Sequence, residues 1–184
     1  MIRSIKDYHY YRLLDGTSKF TFRDYFLNDV RKFKVLLRKS EYYSNCCSGL
    51  LGKLVSSYYR YRLYKCGLKL GFTIPRNVFG PGLSIPHTGT IVVNSNAKVG
   101  KNCRLHVCVN IGASGGKKDA PIIGDNVYIA PGVKIYGGIE IAEGIAIGAN
   151  SVVNKSFTEP NITIAGVPAK KIADGGAAAA GWSP

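Results

Sequence analysis

The sequence predicts a mainly β fold, in which an α-helical segment precedes a parallel β-helix of six-residue repeats. The main observation is an apolar slot that recurs every six residues from 93 to 153 and holds Ile, Leu or Val at ten of eleven positions. This period fits neither a helix, which repeats near 3.6 residues, nor a strand, which alternates by two. It fits a coil in which each repeat makes a short strand and a turn, and three repeats close a triangle. The slots are Val93, Val99, Leu105, Ile111, Lys117, Ile123, Ile129, Ile135, Ile141, Ile147 and Val153.

The residues around each slot support the same coil. The residue after a slot is mostly Gly or Ala, which lets the chain turn a corner without a clash. The fourth residue after a slot is never charged, as expected for a second inward position. Residues 113–121 have turn composition and place Lys117 in a slot, so we expect this loop to project outward.

The repeat begins in a different phase. Between 72 and 91 the apolar slots are Phe79, Ile85 and Ile91. We expect two extra residues near Val92 and Val93 to bring the chain into the later register.

Residues 1–70 predict an α-helical N-terminal segment. Ser4 and Asp7 have the spacing of a capping box at the start of a first helix, which ends at Gly16. Apolar residues at intervals of three to four predict a second helix over 21–43 and a third over 48–66, with Gly67 as its stop. The predicted division is a helical segment at 1–70, a β-helix domain at 71–172 and a flexible tail at 173–184.

The charge is concentrated in the helical segment. The chain has a formal charge of +14, and residues 1–70 carry fifteen Lys or Arg against five Asp or Glu, with fourteen of the twenty aromatic residues. Such a segment suits an anionic membrane surface or an acidic glycan, or a solvated helical face whose tyrosines pack in an oligomer contact. No nucleic-acid-binding motif accompanies the charge, so we do not expect a nucleic-acid partner.

The sequence also predicts the cellular location and the state of the cysteines. No run of about 18 apolar residues occurs, and the first thirty residues lack an apolar core before a small-residue cleavage site, so we expect a cytoplasmic protein, either free or at the inner face of the membrane. The five cysteines show no paired C-x-x-C spacing, which favours reduced thiols over disulfides or zinc. Cys103 falls on an inward position, which predicts a core residue.

The repeat resembles a known family. The segment Ile147-Gly-Ala-Asn-Ser-Val-Val153 and the closing Ala165-Gly-Val-Pro-Ala-Lys170 resemble the left-handed β-helix acyltransferases, over about residues 70–172. The resemblance implies the left hand of the coil, which the period alone does not give. It also implies acetyl-CoA as co-substrate and a homotrimer, or a dimer of trimers, with coenzyme A in the cleft between neighbouring subunits.

Two histidines are the candidate catalytic residues. His87 lies two residues past slot Ile85, and His106 lies one residue past slot Leu105, three repeats later. Three repeats make one coil, so we expect both imidazoles on the same face, about one coil apart. A zinc site at a subunit boundary would need a third histidine, and only His9 remains, so no metal is expected. A neutral imidazole beside a hydroxyl acceptor can take its proton, and we assign that role to His87, with His106 in support.

The surroundings of His87 resemble the serine O-acetyltransferase branch. In that branch the resemblance implies an aspartate just before the base, an orienting aspartate fifteen residues earlier and a second histidine on the projecting loop. These positions correspond here to Pro86, Phe72 and Ala120. We therefore expect serine to be a poor acceptor.

The resemblance also implies which residues hold coenzyme A. Small residues leave a backbone-lined slot for the pantetheine arm, and basic residues near the end of the repeats can meet its phosphates. A backbone amide at the first or second of the small residues would hold the oxyanion. The candidates are Gly112, Ala113, Ala130, Ala149, Lys155, Lys170 and Lys171.

From these features we expect an acetyl-CoA-dependent O-acetyltransferase acting on a sugar or lipid-linked glycan in surface polysaccharide biosynthesis. The basic, aromatic N-terminal segment and the missing serine contacts favour that acceptor. Two alternatives stay open at this point: a serine O-acetyltransferase of cysteine biosynthesis with rearranged acceptor contacts, and a trimeric scaffold without enzyme activity.

Overall fold

A computed structural model describes residues 1–116 and 118–182. Four helices come first, followed by a β-helix of thirteen short strands and a last helical turn within the described residues. Lys117, which we expected to project outward, lies outside the described residues. The helices are α1 Ile5–Leu14, α2 Phe22–Leu27, α3 Asp29–Cys46, α4 Gly49–Leu70 and α5 Gly176–Ala179.

The first helix begins and ends as predicted. The hydroxyl of Ser4 accepts a hydrogen bond from the backbone N–H of Asp7, at 3.1 Å, and the Asp7 carboxylate accepts one from the N–H of Arg3, at 2.8 Å. These bonds satisfy N–H groups that a helix start leaves without partners. Gly16 follows with a positive φ of 67° and turns the chain away.

The second predicted helix, over 21–43, is two helices in the structure. Asn28 has φ −129° and ψ 80°, which breaks the helical path, and its side chain accepts from the N–H of Arg31 to start α3. Thr21 and Asp24 form a capping box for α2. The apolar spacing continues through the break, which is why the pattern alone predicted one helix.

The third predicted helix runs four residues further than expected, to Leu70. Gly67 is not its stop, because Gly67 is buried within α4 and a Cβ there would lie 2.7 Å from the carbonyl oxygen of Phe72. The close approach of the chain at Phe72 requires the glycine. The left-handed C-cap is Gly71, with φ 78°.

The strands form three faces of a triangular prism. Face A is the sheet β1-β2-β5-β8-β11, face B is β3-β6-β9, and face C is β4-β7-β10-β12 with β13 at its edge. All pairings are parallel except that of β12 with β13. The strands are β1 Phe72–Thr73, β2 Ile91–Val93, β3 Lys98–Val99, β4 Arg104–Leu105, β5 Val109–Gly112, β6 Ile122–Ile123, β7 Tyr128–Ile129, β8 Lys134–Tyr136, β9 Glu140–Ile141, β10 Ala146–Ile147, β11 Val152–Val153, β12 Ile162–Gly166 and β13 Ala169–Asp174.

The predicted inward positions form the core. All ten described slots from Val93 to Val153 are buried, and Cys103 is fully buried. The parallel pairing is consistent with the left-handed β-helix that the resemblance implies. The label "mainly β" is not confirmed, because helices cover 33% of the chain and strands 22%.

The change of register lies earlier than we expected. Ser84 pairs with Arg104, an offset of 20 residues, whereas Ile91 pairs with Val109, an offset of 18. The two extra residues therefore fall between Ile85 and Ile91, in the corner that carries His87, and not at Val92 and Val93.

The helical segment is fixed to the first coil by a buried guanidinium. Arg38 is fully buried, although arginine is a residue type that is seldom buried. It donates to the carboxylates of Asp15 and Glu41, at 2.8 and 2.9 Å, and to the carbonyl oxygens of Phe79 and Gly80 on the first coil, at 3.0 and 2.7 Å. Burial opposes the charge, but Glu41 and Asp15 outweigh it and raise the pKa of Arg38 above its ordinary value.

Residues 173–182 of the tail that we expected to be flexible, 173–184, are packed, and residues 183 and 184 lie outside the described residues. Ala177 in α5 is buried, and the indole N–H of Trp182 donates to the carbonyl oxygen of Asn102, at 2.9 Å. The C-terminal residues up to 182 therefore pack on the β-helix. No helix in the described part of the chain has the length and apolar character needed to cross a bilayer.

Candidate active site

The two candidate histidines lie side by side at one corner of the prism. We call the connection from face C to face A the CA corner. His106 follows β4 of face C, and His87 lies between Ser84 on face C and β2 of face A, so both are at the CA corner. Their ring centroids are 6.2 Å apart. The structure thus brings together the pair that the three-repeat spacing predicted.

The two rings differ in their environment. His106 is only 8% exposed and packs against the ring of Tyr128, at 5.1 Å between centroids, whereas His87 is exposed. Burial lowers the pKa of His106, and the nearby charges of Arg104 and His87 lower it further. His106 is therefore neutral at neutral pH, and its Nε2 accepts a hydrogen bond from Nε of Arg104, at 3.3 Å.

Arg104 is a site residue that the sequence did not indicate. Its guanidinium lies 5.1 Å from the centroid of the Trp182 ring, and its Nε donates a hydrogen bond to Nε2 of His106. Within 1–116 and 118–182, no carboxylate forms an ion pair with it. Its two terminal nitrogens are thus available to a ligand that carries a carboxylate.

Two of the predicted small residues share the CA corner with the histidines. The backbone N–H of His106 donates to the carbonyl oxygen of Ile129, and Leu105 is the strand partner of Ile129. Ala130 therefore lies in line with His106 along the prism axis. Ala149 follows two residues after Ile147, one coil further along the same corner. Ala130 is buried and Ala149 is exposed, so Ala149 is the one that leaves open surface.

The other small residues lie at a different corner. Gly112 ends β5 on face A, and the next strand is on face B, so Gly112 and Ala113 are at what we call the AB corner. Lys155 occupies the position of Ala113 two coils later, because Ile111 pairs with Ile135 and Ile135 with Val153. The AB corner therefore holds Gly112, Ala113 and Lys155 but neither histidine.

The last two predicted lysines differ in availability. Lys170 is exposed and pairs through its backbone with Ala165, at the C-terminal end of the CA corner. The amine of Lys171 is held by Glu159 and Asp174, at 2.6 and 2.8 Å, and these hydrogen bonds raise its pKa. Lys171 is thus already neutralised by two carboxylates, which leaves Lys170 and Lys155 as the available cations of this set.

Comparisons with known proteins identify relatives of this chain. Residues 120–155 match the family model for the bacterial transferase hexapeptide (six repeats). The chain is 37% identical over 101 residues to a serine acetyltransferase of Buchnera aphidicola, and 38% identical over 100 residues to one of Mycobacterium tuberculosis. Each match covers 53% of this chain. The crystal structure of serine acetyltransferase from Brucella abortus in complex with coenzyme A matches with a TM-score of 0.70 and 26% identity, over 91% of this chain and 68% of that one.

The comparisons correct the expected acceptor. The chain spans only 38% and 43% of the length of the two bacterial relatives. These relatives and the matching crystal structure are serine acetyltransferases, so the expectation of a sugar or glycan acceptor in polysaccharide biosynthesis is wrong. Residues 120–155 thus resemble the bacterial transferase hexapeptide family, and the relatives that the chain matches are serine acetyltransferases.

Proposed function

We propose that this chain catalyses the acetyl-CoA-dependent O-acetylation of serine with His87 as general base. The observation that carries the proposal is the exposed imidazole of His87 next to the buried, neutral imidazole of His106 in a chain related to serine acetyltransferases. An exposed ring can reach a bound hydroxyl, while the buried ring fixes the floor of the site. The pairing is therefore suited to proton transfer at His87.

The proposed reaction needs one proton carrier. His87 takes the proton of the serine hydroxyl as the oxygen attacks the thioester carbonyl carbon. The tetrahedral intermediate then collapses, the carbon–sulfur bond breaks, and the imidazolium of His87 returns the proton to the leaving thiolate. The products are O-acetylserine and coenzyme A, and His87 ends neutral.

Arg104 is our candidate for binding the carboxylate of serine. Pro86 and Phe72 stand where the resemblance implies aspartates, so the acceptor contacts must come from other residues. Arg104 offers two terminal N–H groups beside His106, and a guanidinium binds a carboxylate in a two-pronged geometry. Arg104→Gln should raise the KM for serine tenfold or more while kcat changes less, and Arg104→Lys should recover part of the loss. An unchanged KM for serine would remove Arg104 from the acceptor site.

The geometry also favours a site shared between two copies. Gly112, at the AB corner, lies five residues after Val107, at the CA corner, which is about 16 Å at a rise of about 3.3 Å per strand residue. An amide at Gly112 cannot touch a carbonyl that reacts at His87 of the same chain. In a cyclic trimer the AB corner of one copy can face the CA corner of the next, and this is the assembly that we propose.

The principal test is turnover of acetyl-CoA with L-serine, followed by thiol release and by detection of O-acetylserine. His87→Ala should lower kcat by about 10² to 10⁴, the usual contribution of a general base. His9→Ala is the matched control, since His9 lies on α1 and should leave the rate unchanged. Absence of turnover with serine, or an unaffected rate in His87→Ala, would refute the proposal.

A mixing experiment tests the shared site. A Cβ at Gly112 would meet only the side-chain oxygen of Asn110, at 3.2 Å, so Gly112→Leu should fold and fill the proposed pantetheine slot. Trimers assembled from equal amounts of His87→Ala and Gly112→Leu chains should regain about a quarter of the wild-type activity, because one interface in each mixed trimer joins two intact corners. If each chain holds a complete site, mixing will restore nothing.

A further inference from the structure

The outer face of α4 carries an apolar strip that no other part of the described structure covers. Leu50, Leu54, Tyr61 and Leu68 are exposed by 78%, 60%, 56% and 60%. At 100° per residue these four positions lie within about 40° of one another on the helix surface. They therefore form one continuous strip along the whole length of α4.

Basic residues flank this strip on both sides. Lys53 and Arg60 lie along one edge and Lys65 lies along the other, next to Lys69, which is paired with Asp29. The helix has no Asp or Glu, and the chain has none between Glu41 and Asp119. A central apolar strip with cationic edges is the pattern of a helix that lies in the interface of an anionic bilayer.

A cavity at the C-terminal end of the strip adds a second observation. It measures about 310 Å³, it is lined mainly by apolar groups including Leu68 and Phe72, and Arg60 and Arg76 are among its lining residues. Neither guanidinium forms an ion pair with a carboxylate of the described residues. Burial lowers the pKa of Arg76, and the charge of Arg60 lowers it further. An anion bound between the two guanidiniums would therefore stabilise the charged form of Arg76.

We propose that the outer face of α4 docks on a membrane surface rich in anionic phospholipid, with a headgroup phosphate between Arg60 and Arg76. Leucine and tyrosine side chains enter the boundary between headgroups and acyl chains, and the flanking lysines and arginines meet lipid phosphates. A second copy that packs on this face about a two-fold axis suits it less well. A two-fold contact would set the basic edges of α4 against each other with no acidic residue of the helix to neutralise them.

The test is sedimentation of the full chain with vesicles of phosphatidylcholine alone or with about one third phosphatidylglycerol, at fixed lipid concentration. We expect binding to the anionic vesicles and not to the neutral ones, with a loss on raising the salt concentration. Arg60→Gln/Arg76→Gln should weaken binding about 30-fold, at roughly fivefold for each cation near the surface. Leu50→Asn/Leu54→Asn should weaken it at least about tenfold, because both leucines would enter the interface.

Lys98→Gln/Lys118→Gln is the matched control, because it removes the same charge from exposed positions on the β-helix. It should stay within about twofold of the wild-type affinity if docking is local to α4. Equal losses in the control and the Arg60/Arg76 variant would refute a specific docking face. No vesicle binding, together with a smaller oligomer in the Leu50/Leu54 variant, would assign the strip to a second copy. Serine turnover without vesicles is independent of this proposal and separates its failure from that of the proposed function.

Discussion

The buried Arg38 offers the sharpest test of how the helical segment is held on the β-helix. Arg38→Met keeps an unbranched apolar stem but removes the guanidinium and its charge. Asp15 and Glu41, which are 3% and 1% exposed, would then remain in the interior without their cation. The carbonyl oxygens of Phe79 and Gly80 would lose a donor as well.

The expected cost follows from these contacts. Removing one partner of a buried ion pair destabilises a protein by about 3–5 kcal/mol. The loss of stability is partly offset by hydrogen bonds that remain. Asp15 still accepts from the backbone N–H groups of Gly82 and Leu83, and Glu41 still accepts from the N–H of Asn77. We therefore expect Arg38→Met to lower the free energy of unfolding by about 4 kcal/mol, a large part of the 5–15 kcal/mol of an ordinary domain.

Urea unfolding at fixed protein concentration measures this change with two probes. Circular dichroism at 222 nm reports mainly on the helices, and the fluorescence of Trp182, the single tryptophan, reports on the β-helix surface at Asn102. The control is Lys69→Met, which breaks the exposed ion pair with Asp29 and should cost at most about 1 kcal/mol. If the free energies of unfolding of the two variants differ by less than about 1 kcal/mol, the buried guanidinium does not hold the helical segment on the β-helix.

Three further outcomes are expected. Gly124→Ala should lower stability in thermal unfolding by about 1–3 kcal/mol, because its Cβ would lie 2.6 Å from the backbone nitrogen of Glu143; an unchanged midpoint would contradict the close stacking of the corners. Iodoacetamide should label the exposed Cys108 and spare Cys103 in the folded protein, because burial raises the pKa of the Cys103 thiol to about 12. Mass spectrometry measures the labelling, and equal labelling of the two cysteines would contradict the burial of Cys103. The folded pKa of His106 lies below its ordinary 6.5, so the stability that its neutral form contributes is present above pH 6.5 and is lost as pH falls through the folded pKa. His106→Gln should lack that loss in urea unfolding at a series of pH values, and parallel pH profiles for the two proteins would argue against it.

The core of the β-helix was predictable because one rule governs every coil. A side chain at each slot points to the prism axis, so the period of six identified the buried positions from Val93 to Val153 without knowledge of the pairing. The cap at Ser4 was also predictable, since it depends only on two residues three apart, Ser4 and Asp7. Both signals are local, and tertiary contacts agree with them.

The misplaced boundaries and charges have the opposite origin. Gly67 had the composition of a helix stop, but its role is set by the approach of Phe72 from the next element. Arginine is seldom buried, but the partners of Arg38, Asp15 and Glu41, come from a loop and from its own helix, and only the packed structure brings the three together. Patterns within one helix do not contain those contacts.

The candidate site was predictable in part for the same reason. Counting three repeats to a coil placed His87 next to His106, which is a periodic relation. Arg104 and Trp182 meet over 78 residues of sequence, and a Gly- and Ala-rich C-terminal stretch gave no sign that its tryptophan would pack on the site. The neighbours of a catalytic pair are thus harder to predict than the pair.

The position of the histidines follows from a break in the repeat. At a regular corner the next coil leaves room only for a small side chain, as at Gly148, where a Cβ would lie 2.9 Å from that of Ala165. His106 occupies this kind of position, and the preceding coil turns the same corner with two additional residues, between Ile85 and Ile91. The longer turn places His87 at the surface, with its ring 6.2 Å from that of His106. A repeat that excludes large polar groups at its corners therefore admits an imidazole pair only where its own rule is relaxed, which is where a functional site is expected.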